Sequence, residues 1–185
     1  LDAKTQKLLL FMDTKKAFDS IDHDFIHKIL DHIGLPIWMR NAVRGLMTDV
    51  FVIPVVSAET AAAIRISQGV KQGCPLSPLL FIICYDILIF KLKSYANDHI
   101  ITLHIFAFAD DIALGADDMH HLTQLMPIID AFSHHSGLGL NTDKTKFISP
   151  LPFTEQDRAA AASSAWRLLS EDCFVSSHTY LGIIM

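Results

Sequence analysis

Hydrophobic positions along this chain fall into short runs of two periods, separated by turn residues. Lys7-Leu8-Leu9-Leu10-Phe11-Met12-Asp13 is apolar without interruption and closes on a carboxylate, the pattern of a central strand buried on both faces. After a turn, Asp22 or Asp24 is placed to cap a helix whose apolar positions are Phe25, Ile26, Ile29, Leu30 and Ile33. Gly34 ends that helix, and Pro36 opens a second one to about Met47. Phe51 to Val56 and Ala63 to Ser67 predict paired strands around a Ser57-Ala58-Glu59-Thr60 turn.

A Gly/Pro-punctuated loop, Gln68 to Pro78, then leads into a long apolar helix through about Ser94. The alternating run Ile100 to Ala107 reaches Phe108-Ala109-Asp110-Asp111, and Ile112-Ala113-Leu114 resumes the apolar pattern. This is a β-hairpin with an acidic tip. A helix from Asp118 to Ser136 follows, with Leu122, Leu125, Met126, Ile129 and Phe132 on its apolar face; Gly137-Leu138-Gly139 breaks it. Asn141-Thr142-Asp143-Lys144 turns into a strand over Lys146 to Ser149, and Thr154 caps an Ala-rich helix to about Leu169. The last run is Thr179 to Met185. Strands ending in carboxylates and alternating with helices predict an α/β or α+β layer, with helices covering one face of a small sheet.

Composition narrows the class. A length of 185 residues suits one domain, and 51% hydrophobic content with mean hydropathy +0.34 supplies a core and excludes disorder. The net charge of -5 argues against a free-standing nucleic-acid binder. Cys74, Cys84 and Cys173 have neither disulfide-framework nor zinc spacing, so a reducing, intracellular compartment is expected. The most apolar segment, Leu79 to Leu92, is interrupted by Asp86 and is shorter than the roughly 20 residues a bilayer needs. No membrane association is expected. The opening Leu1-Asp2-Ala3-Lys4 has no initiator Met and no signal-peptide pattern, as expected of part of a longer polypeptide.

The chemistry concentrates in carboxylates. Taken alone, Asp110-Asp111 reads as a solvated turn, since Asp is a common turn residue. Asp13 changes that: if its strand neighbours the hairpin, three carboxylates converge at one sheet edge. Hard oxygen ligands suit Mg²⁺ or Mn²⁺, and two such ions about 3.5–4 Å apart are the general device for in-line attack at phosphorus. The paired histidines do not form a metal site. His120-His121 and His134-His135 are 14 residues apart on one predicted helix, about 21 Å at 1.5 Å per residue.

Five segments, in order, resemble the motifs of reverse transcriptases. Phe11-Met12-Asp13-Thr14-Lys15-Lys16-Ala17-Phe18-Asp19-Ser20-Ile21-Asp22-His23 resembles motif A, and Gly69-Val70-Lys71-Gln72-Gly73-Cys74-Pro75-Leu76-Ser77-Pro78-Leu79-Leu80-Phe81 resembles motif B. Phe108-Ala109-Asp110-Asp111 resembles motif C, Gly137 to Lys146 motif D, and Tyr180-Leu181-Gly182 motif E. The wording is most similar to non-LTR (LINE-like) retrotransposons. The resemblance implies the palm of a right-hand polymerase over residues 1–185, a small antiparallel sheet with helices on one face. It implies RNA-directed DNA synthesis: an RNA template, a DNA primer, dNTPs and two Mg²⁺ ions, with Mn²⁺ as a substitute. If the parent element is active in a eukaryote, it would act in the nucleus.

Residue by residue, the resemblance makes Asp13, Asp110 and Asp111 the catalytic, metal-binding carboxylates, with Thr14 a further metal-binding residue. Lys16, Ala17, Phe18, Gln72, Gly73 and Lys144 would meet the nucleotide. Phe18 would stack under the incoming sugar and clash with a 2′-hydroxyl. Gln72 and Gly73 would lie against nucleotide and template, Gly73 suiting close backbone approach. Lys144 would protonate or neutralise pyrophosphate, a role open also to Lys146. Phe108, Ala109, Tyr180, Leu181 and Gly182 would touch nucleic acid. On bare sequence each has a plainer reading: Phe18 a core aromatic, Gln72 a loop-backbone partner, Lys144 a solvated turn residue beside Asp143, and Asp19, Asp22 and Asp24 caps.

In the family, fingers precede motif A and a thumb follows motif E, and both supply basic residues. Neither is expected within 1–185, which accounts for the acidic balance. The chain alone is expected to bind template-primer poorly and to polymerise little, because phosphate contacts dominate affinity. The competing readings are a catalytically idle palm, kept as a nucleic-acid or protein interaction module or left as a relic of a decayed element, and an RNA-dependent RNA polymerase. The latter normally carries Gly-Asp-Asp at the hairpin tip and lacks an aromatic gate.

Overall fold

The computed structural model describes residues 8–56, 59–60, 62–163, 171–176, 179–180 and 183–184. Its centre is strand β1 (Leu8–Met12), the apolar run that closes on Asp13. One helical turn, α1 (Ala17–Ser20), leads to α2 (His23–His32), whose first turn is capped by the Asp22 side chain accepting from the Phe25 amide at 2.9 Å. Pro36 stands at the N-cap of α3 (Ile37–Met47).

The region 51–67 forms two short antiparallel pairs rather than two long strands. β2 (Phe51–Val52) pairs with β5 (Ile64–Arg65), and β3 (Val55–Val56) pairs with β4 (Glu59–Thr60). Pro54, which has no N–H to give to a ladder, separates them. α4 (Leu76–Asp98) runs one turn past the expected Ser94. Its end is made by His99, whose ring stacks on Tyr95 at 3.9 Å, with Nδ1 2.9 Å from the Tyr95 carbonyl oxygen.

The hairpin β6 (Leu103–Phe108) and β7 (Asp111–Ala116) is followed by α5 (Met119–Ser136), capped by Asp118. Then come β8 (Lys146–Ile148), α6 (Glu155–Ser163), a 3-10 turn (Glu171–Cys173), β9 (Phe174–Val175), β10 (Thr179–Tyr180) and β11 (Ile183–Ile184). Thr154 caps α6 as expected: its hydroxyl accepts from the Asp157 amide at 3.1 Å, and Asp157 reaches back to the Thr154 amide at 2.8 Å. The expected continuation of α6 to Leu169 lies outside the described residues.

The main sheet has the order β6-β7-β1-β8-β9. It is not wholly antiparallel: β8 and β9 run parallel, because the connection between them crosses over through α6. Strand alternation splits the sheet into two faces. Leu8, Leu10, Met12, Ile112, Leu114 and Phe147 join α2, α4 and α5 in one large core, and Phe11, Ala113 and Ile148 form a small cluster on the other face. The helices lie on one face, as expected. Among the described residues no helix is long and apolar enough to cross a membrane.

The end of α5 docks the second half of the chain onto motif A. Gly137 adopts φ +76, and a Cβ there would lie 2.6 Å from the Ser20 carbonyl oxygen. Next to it the Asp22 amide donates to the Ser136 carbonyl at 2.8 Å. Gly137→Ala should cost roughly 2–3 kcal/mol, from the left-handed backbone plus the steric contact. In urea that is about 1 M off the unfolding midpoint. An unchanged midpoint would show that this contact does not constrain the chain.

Candidate active site

Register brings the carboxylates together. Met12 lies opposite Ile112 and Phe11 opposite Ala113, so Asp13, next along β1, is level with Asp111. Alternation puts both on the face away from the helices, two residues on from Phe11 and two before Ala113. Across the hairpin Phe108 pairs with Asp111, leaving Ala109 and Asp110 as a two-residue tip. Ala109 has φ +53 and Asp110 does not share it, a turn of the II′ kind, normally opened by Gly. Phe108 is 66% exposed at the tip.

Motif D closes the other side. Thr14 bridges to Leu140, the Lys15 amide donates to the Gly139 carbonyl, and the Asn141 amide donates to the Asp13 carbonyl, both at 2.8 Å. Asn141 Nδ2 also donates to Asp13 Oδ2 at 2.9 Å, and Lys144 Nζ reaches Asp13 Oδ1 at 3.4 Å. Of the two motif D lysines, Lys144 therefore faces the carboxylates. Lys146 Nζ turns to the Asp172 carbonyl oxygen at 3.2 Å.

Burial, reinforced by the negative charges of Asp110 and Asp13, holds the Asp111 carboxyl above the ordinary carboxylate range, and Lys144 only partly opposes this. Such mutual repulsion is what a bound cation would relieve. The donor set fits a hard divalent ion: all three side chains offer carboxylate oxygens. The side chains are not already gathered around one point. Among the described residues no group of three or more His, Cys, Asp or Glu stands together as a metal site. Asp13 is held instead toward Asn141 and Lys144.

Thr14 is placed differently from its neighbour. Its side chain is buried and its hydroxyl meets Tyr85 Oη at 2.8 Å, so of this residue only the backbone is left to face a metal. Lys16 is exposed in a left-handed conformation, φ 46, and Ala17 is buried. Phe18 is half-buried and stacks on Phe81 at 4.8 Å. It is both the core aromatic of the plainer reading and a residue with one edge toward solvent.

Motif B docks on motif A through backbone. The Gly69 amide donates to the Ile21 carbonyl at 2.7 Å and the Val70 amide to the Phe18 carbonyl at 2.6 Å. His23 Nε2 lies 2.7 Å from the Gly69 carbonyl oxygen. Gln72 Nε2 donates to Asp19 Oδ1 at 3.1 Å, which gives Asp19 a partner across the two motifs. The tight glycine is Gly69: a Cβ there would fall 2.7 Å from the Asp19 carbonyl oxygen. Gly73 has φ +84 but open space beside it, so within this chain it supplies a backbone conformation and not a close approach. Beyond this loop a cavity of about 650 Å³ opens between α3, β5 and the start of α4, lined by Val43, Met47, Val70 and Leu80 among others and by none of the three carboxylates.

Sequence reading missed Gly69, Asn141 and Tyr85. Gly69 had a signal, a glycine opening motif B. Tyr85 stands one turn beyond Phe81 in a largely apolar stretch, which marks an aromatic stack but not its polar end. Of the motif E residues, Tyr180 lies in β10, paired with Ile183, while Leu181 and Gly182 lie outside the described residues.

A small sheet with helices on one face, and carboxylates from a central strand and an adjacent hairpin tip on the other, defines the palm of a right-hand polymerase. The chain belongs to the family described as reverse transcriptase (RNA-dependent DNA polymerase), whose model matches residues 1–185. It is 32% identical over 142 residues to the retrovirus-related Pol polyprotein from the type-1 retrotransposable element R2 of Popillia japonica, covering 75% of this chain and 23% of the relative. It is 34% identical over 139 residues to the polyprotein of the type-2 element R2DM of Drosophila melanogaster, covering 72% and 13%. The chain thus spans less than a quarter of these relatives. In fold it is similar to telomerase from Candida albicans in complex with a fragment of telomeric RNA, with TM-score 0.67 and 16% identity over 80% of this chain and 28% of that one. Apo telomerase from Candida tropicalis gives the same TM-score, with 15% identity over 82% and 32%.

The raised Asp111 carboxyl sets a pH dependence. Because the folded state holds the Asp111 proton more tightly than the unfolded state does, the ionised carboxylate disfavours folding at neutral pH. The penalty fades as pH falls through the raised value toward the ordinary one. In metal-free buffer Asp111→Asn should therefore raise the melting temperature at pH 7, and the gain should shrink as pH falls through the raised Asp111 value toward the ordinary carboxylate range. A gain independent of pH would contradict the raised Asp111 carboxyl.

Proposed function

We propose that residues 1–185 are the palm of an RNA-directed DNA polymerase of a non-LTR retrotransposon, joining dNTPs to a primer 3′-hydroxyl on an RNA template. The observation that carries this is the placement of Asp13, Asp110 and Asp111 at one end of the uncovered sheet face, with Lys144 beside Asp13. Asp13, Asp110 and Asp111 would hold two Mg²⁺ ions, or Mn²⁺ in their place, with the Thr14 backbone beside them. When bound, those ions lower the pKa of the attacking hydroxyl and neutralise charge on the triphosphate.

The chain's own groups supply the rest. Phe18, its ring fixed from behind by Phe81, presents a wall where a 2′-hydroxyl would project. Gln72, tied to Asp19, shapes the loop against which base and template would lie. Lys144 offers a proton or a positive charge to leaving pyrophosphate. Ala109 and Phe108 at the tip, and Tyr180-Leu181-Gly182 further on, are the proposed contacts to nucleic acid. Copying of a retrotransposon into a host chromosome places this activity inside the cell, in the nucleus.

The test replaces the matching stretch of the Popillia japonica R2 polyprotein with residues 1–185 and measures Mg²⁺-dependent dNTP incorporation on an RNA template. Activity within about tenfold of the parent is expected, with a loss of at least about 10³-fold for Asp110→Asn. Phe18→Ala should narrow the preference for dNTPs over NTPs by about 10²-fold. A folded chimera that binds template-primer but incorporates no dNTP would overturn the proposal.

A further inference from the structure

Tyr85 stands on α4, behind the sheet, where the end of β1 meets the hairpin tip. It is 4% exposed. Its ring stacks on Phe81 at 5.2 Å and meets Phe132 edge-on at 5.7 Å, so packing from two helices sets its direction. Its hydroxyl has two partners: Thr14 Oγ1 at 2.8 Å, and the Asp110 carbonyl oxygen, to which it donates at 3.3 Å. A phenol has one proton to give. With that proton on Asp110, Tyr85 must accept from Thr14, and the chain runs Thr14 Oγ1–H to Tyr85 Oη–H to Asp110 carbonyl. Burial pushes the Tyr85 hydroxyl up to about 12, so it keeps its proton throughout the physiological range.

Both ends of this chain adjoin carboxylates. Thr14 follows Asp13, and Asp110 carries one carboxylate and precedes the other. The two-residue tip has no covalent or ladder link to β1 of its own, since the β1–β7 register ends at Met12 opposite Ile112. We propose that Tyr85 is a positioning residue for the metal site: its buried hydroxyl ties the Asp110 turn to the Asp13-Thr14 end of β1 and so presets the spacing of the carboxylates. This rests on the reading that Asp13, Asp110 and Asp111 bind divalent cations. Tyr85 itself touches neither metal nor nucleotide.

The experiment measures Mn²⁺ binding to the purified chain by the loss of the free-ion electron paramagnetic resonance signal. Tyr85→Phe keeps the ring and its stacking and deletes only the hydroxyl. It should weaken Mn²⁺ binding by about tenfold, the usual effect of an outer partner of a metal ligand. Thr14→Val should weaken it about threefold, since Tyr85 keeps Asp110, and the double variant should be no worse than Tyr85→Phe alone, because the two side chains act in one chain. Gly34→Ala strains a left-handed backbone position in the turn after α2, away from these bonds, and should leave the Mn²⁺ affinity of the folded protein unchanged. Wild-type chain that fails to bind Mn²⁺ would sink the reading of the carboxylates as a metal site. Wild-type binding matched by Tyr85→Phe, or additive losses in the double variant, would sink the role of Tyr85 alone.

Discussion

Like charges held at one end of a sheet are the constraint on which the rest of the site depends. Asp110 sits in the two-residue tip, Asp111 follows it as the first residue of β7, and Asp13 is level with Asp111 on the adjacent strand. Nothing about an isolated hairpin would favour that arrangement. It persists because the opposite face of the same strands is locked into the main core through Leu8, Leu10, Met12, Ile112 and Leu114. Alternation converts burial on one face into position on the other. A one-residue slip of β1 against β7 would put Met12 into water and Asp13 into the core, so the register cannot relax to spread the charges.

Three devices hold the charged end in place. Motif D lays its backbone along Asp13-Thr14-Lys15 and sets Asn141 and Lys144 on the Asp13 carboxylate. Motif B lays its backbone along Phe18 and Ile21, close enough that only glycine fits at position 69. From behind, the aromatic stack Phe18-Phe81-Tyr85 runs under motif A and ends in a hydroxyl between Thr14 and Asp110. Segments far apart in sequence are thus fastened to the same few residues of motif A.

Much of this was legible in the chain itself, and the reasons differ by feature. The buried strand ending at Asp13, the α2 cap at Asp22 and the acidic hairpin follow local periodicity and turn chemistry, which act within a few residues. The meeting of Asp13 with the hairpin tip was legible only as a condition, that two apolar strands ending in carboxylates be neighbours, and the β1–β7 register meets it. The parallel β8–β9 pair was not, since a crossover through α6 leaves no mark on either two- or three-residue strand. Nor was the inward turn of Thr14, a polar residue whose burial depends on a tyrosine 71 positions away. Gly69 and Gly73 look alike in sequence and share φ +84, yet only one of them is pressed against another backbone. Contacts of high sequence separation decide such cases.

The division of labour between the two faces also explains the charge balance. The helix-covered face is apolar and rigid, while the uncovered face carries Asp13, Asp111, Lys144 and the exposed Phe106 and Phe108. A net charge of -5 on 185 residues repels a phosphate backbone at long range, so in the proposed polymerase attraction would have to come from cations held at the carboxylates and from basic groups set around them. Lys144 is one such group. Its bond to Asp13 partly offsets the repulsion within the acidic site, and a divalent ion with greater charge and direct coordination would compete for the same oxygen.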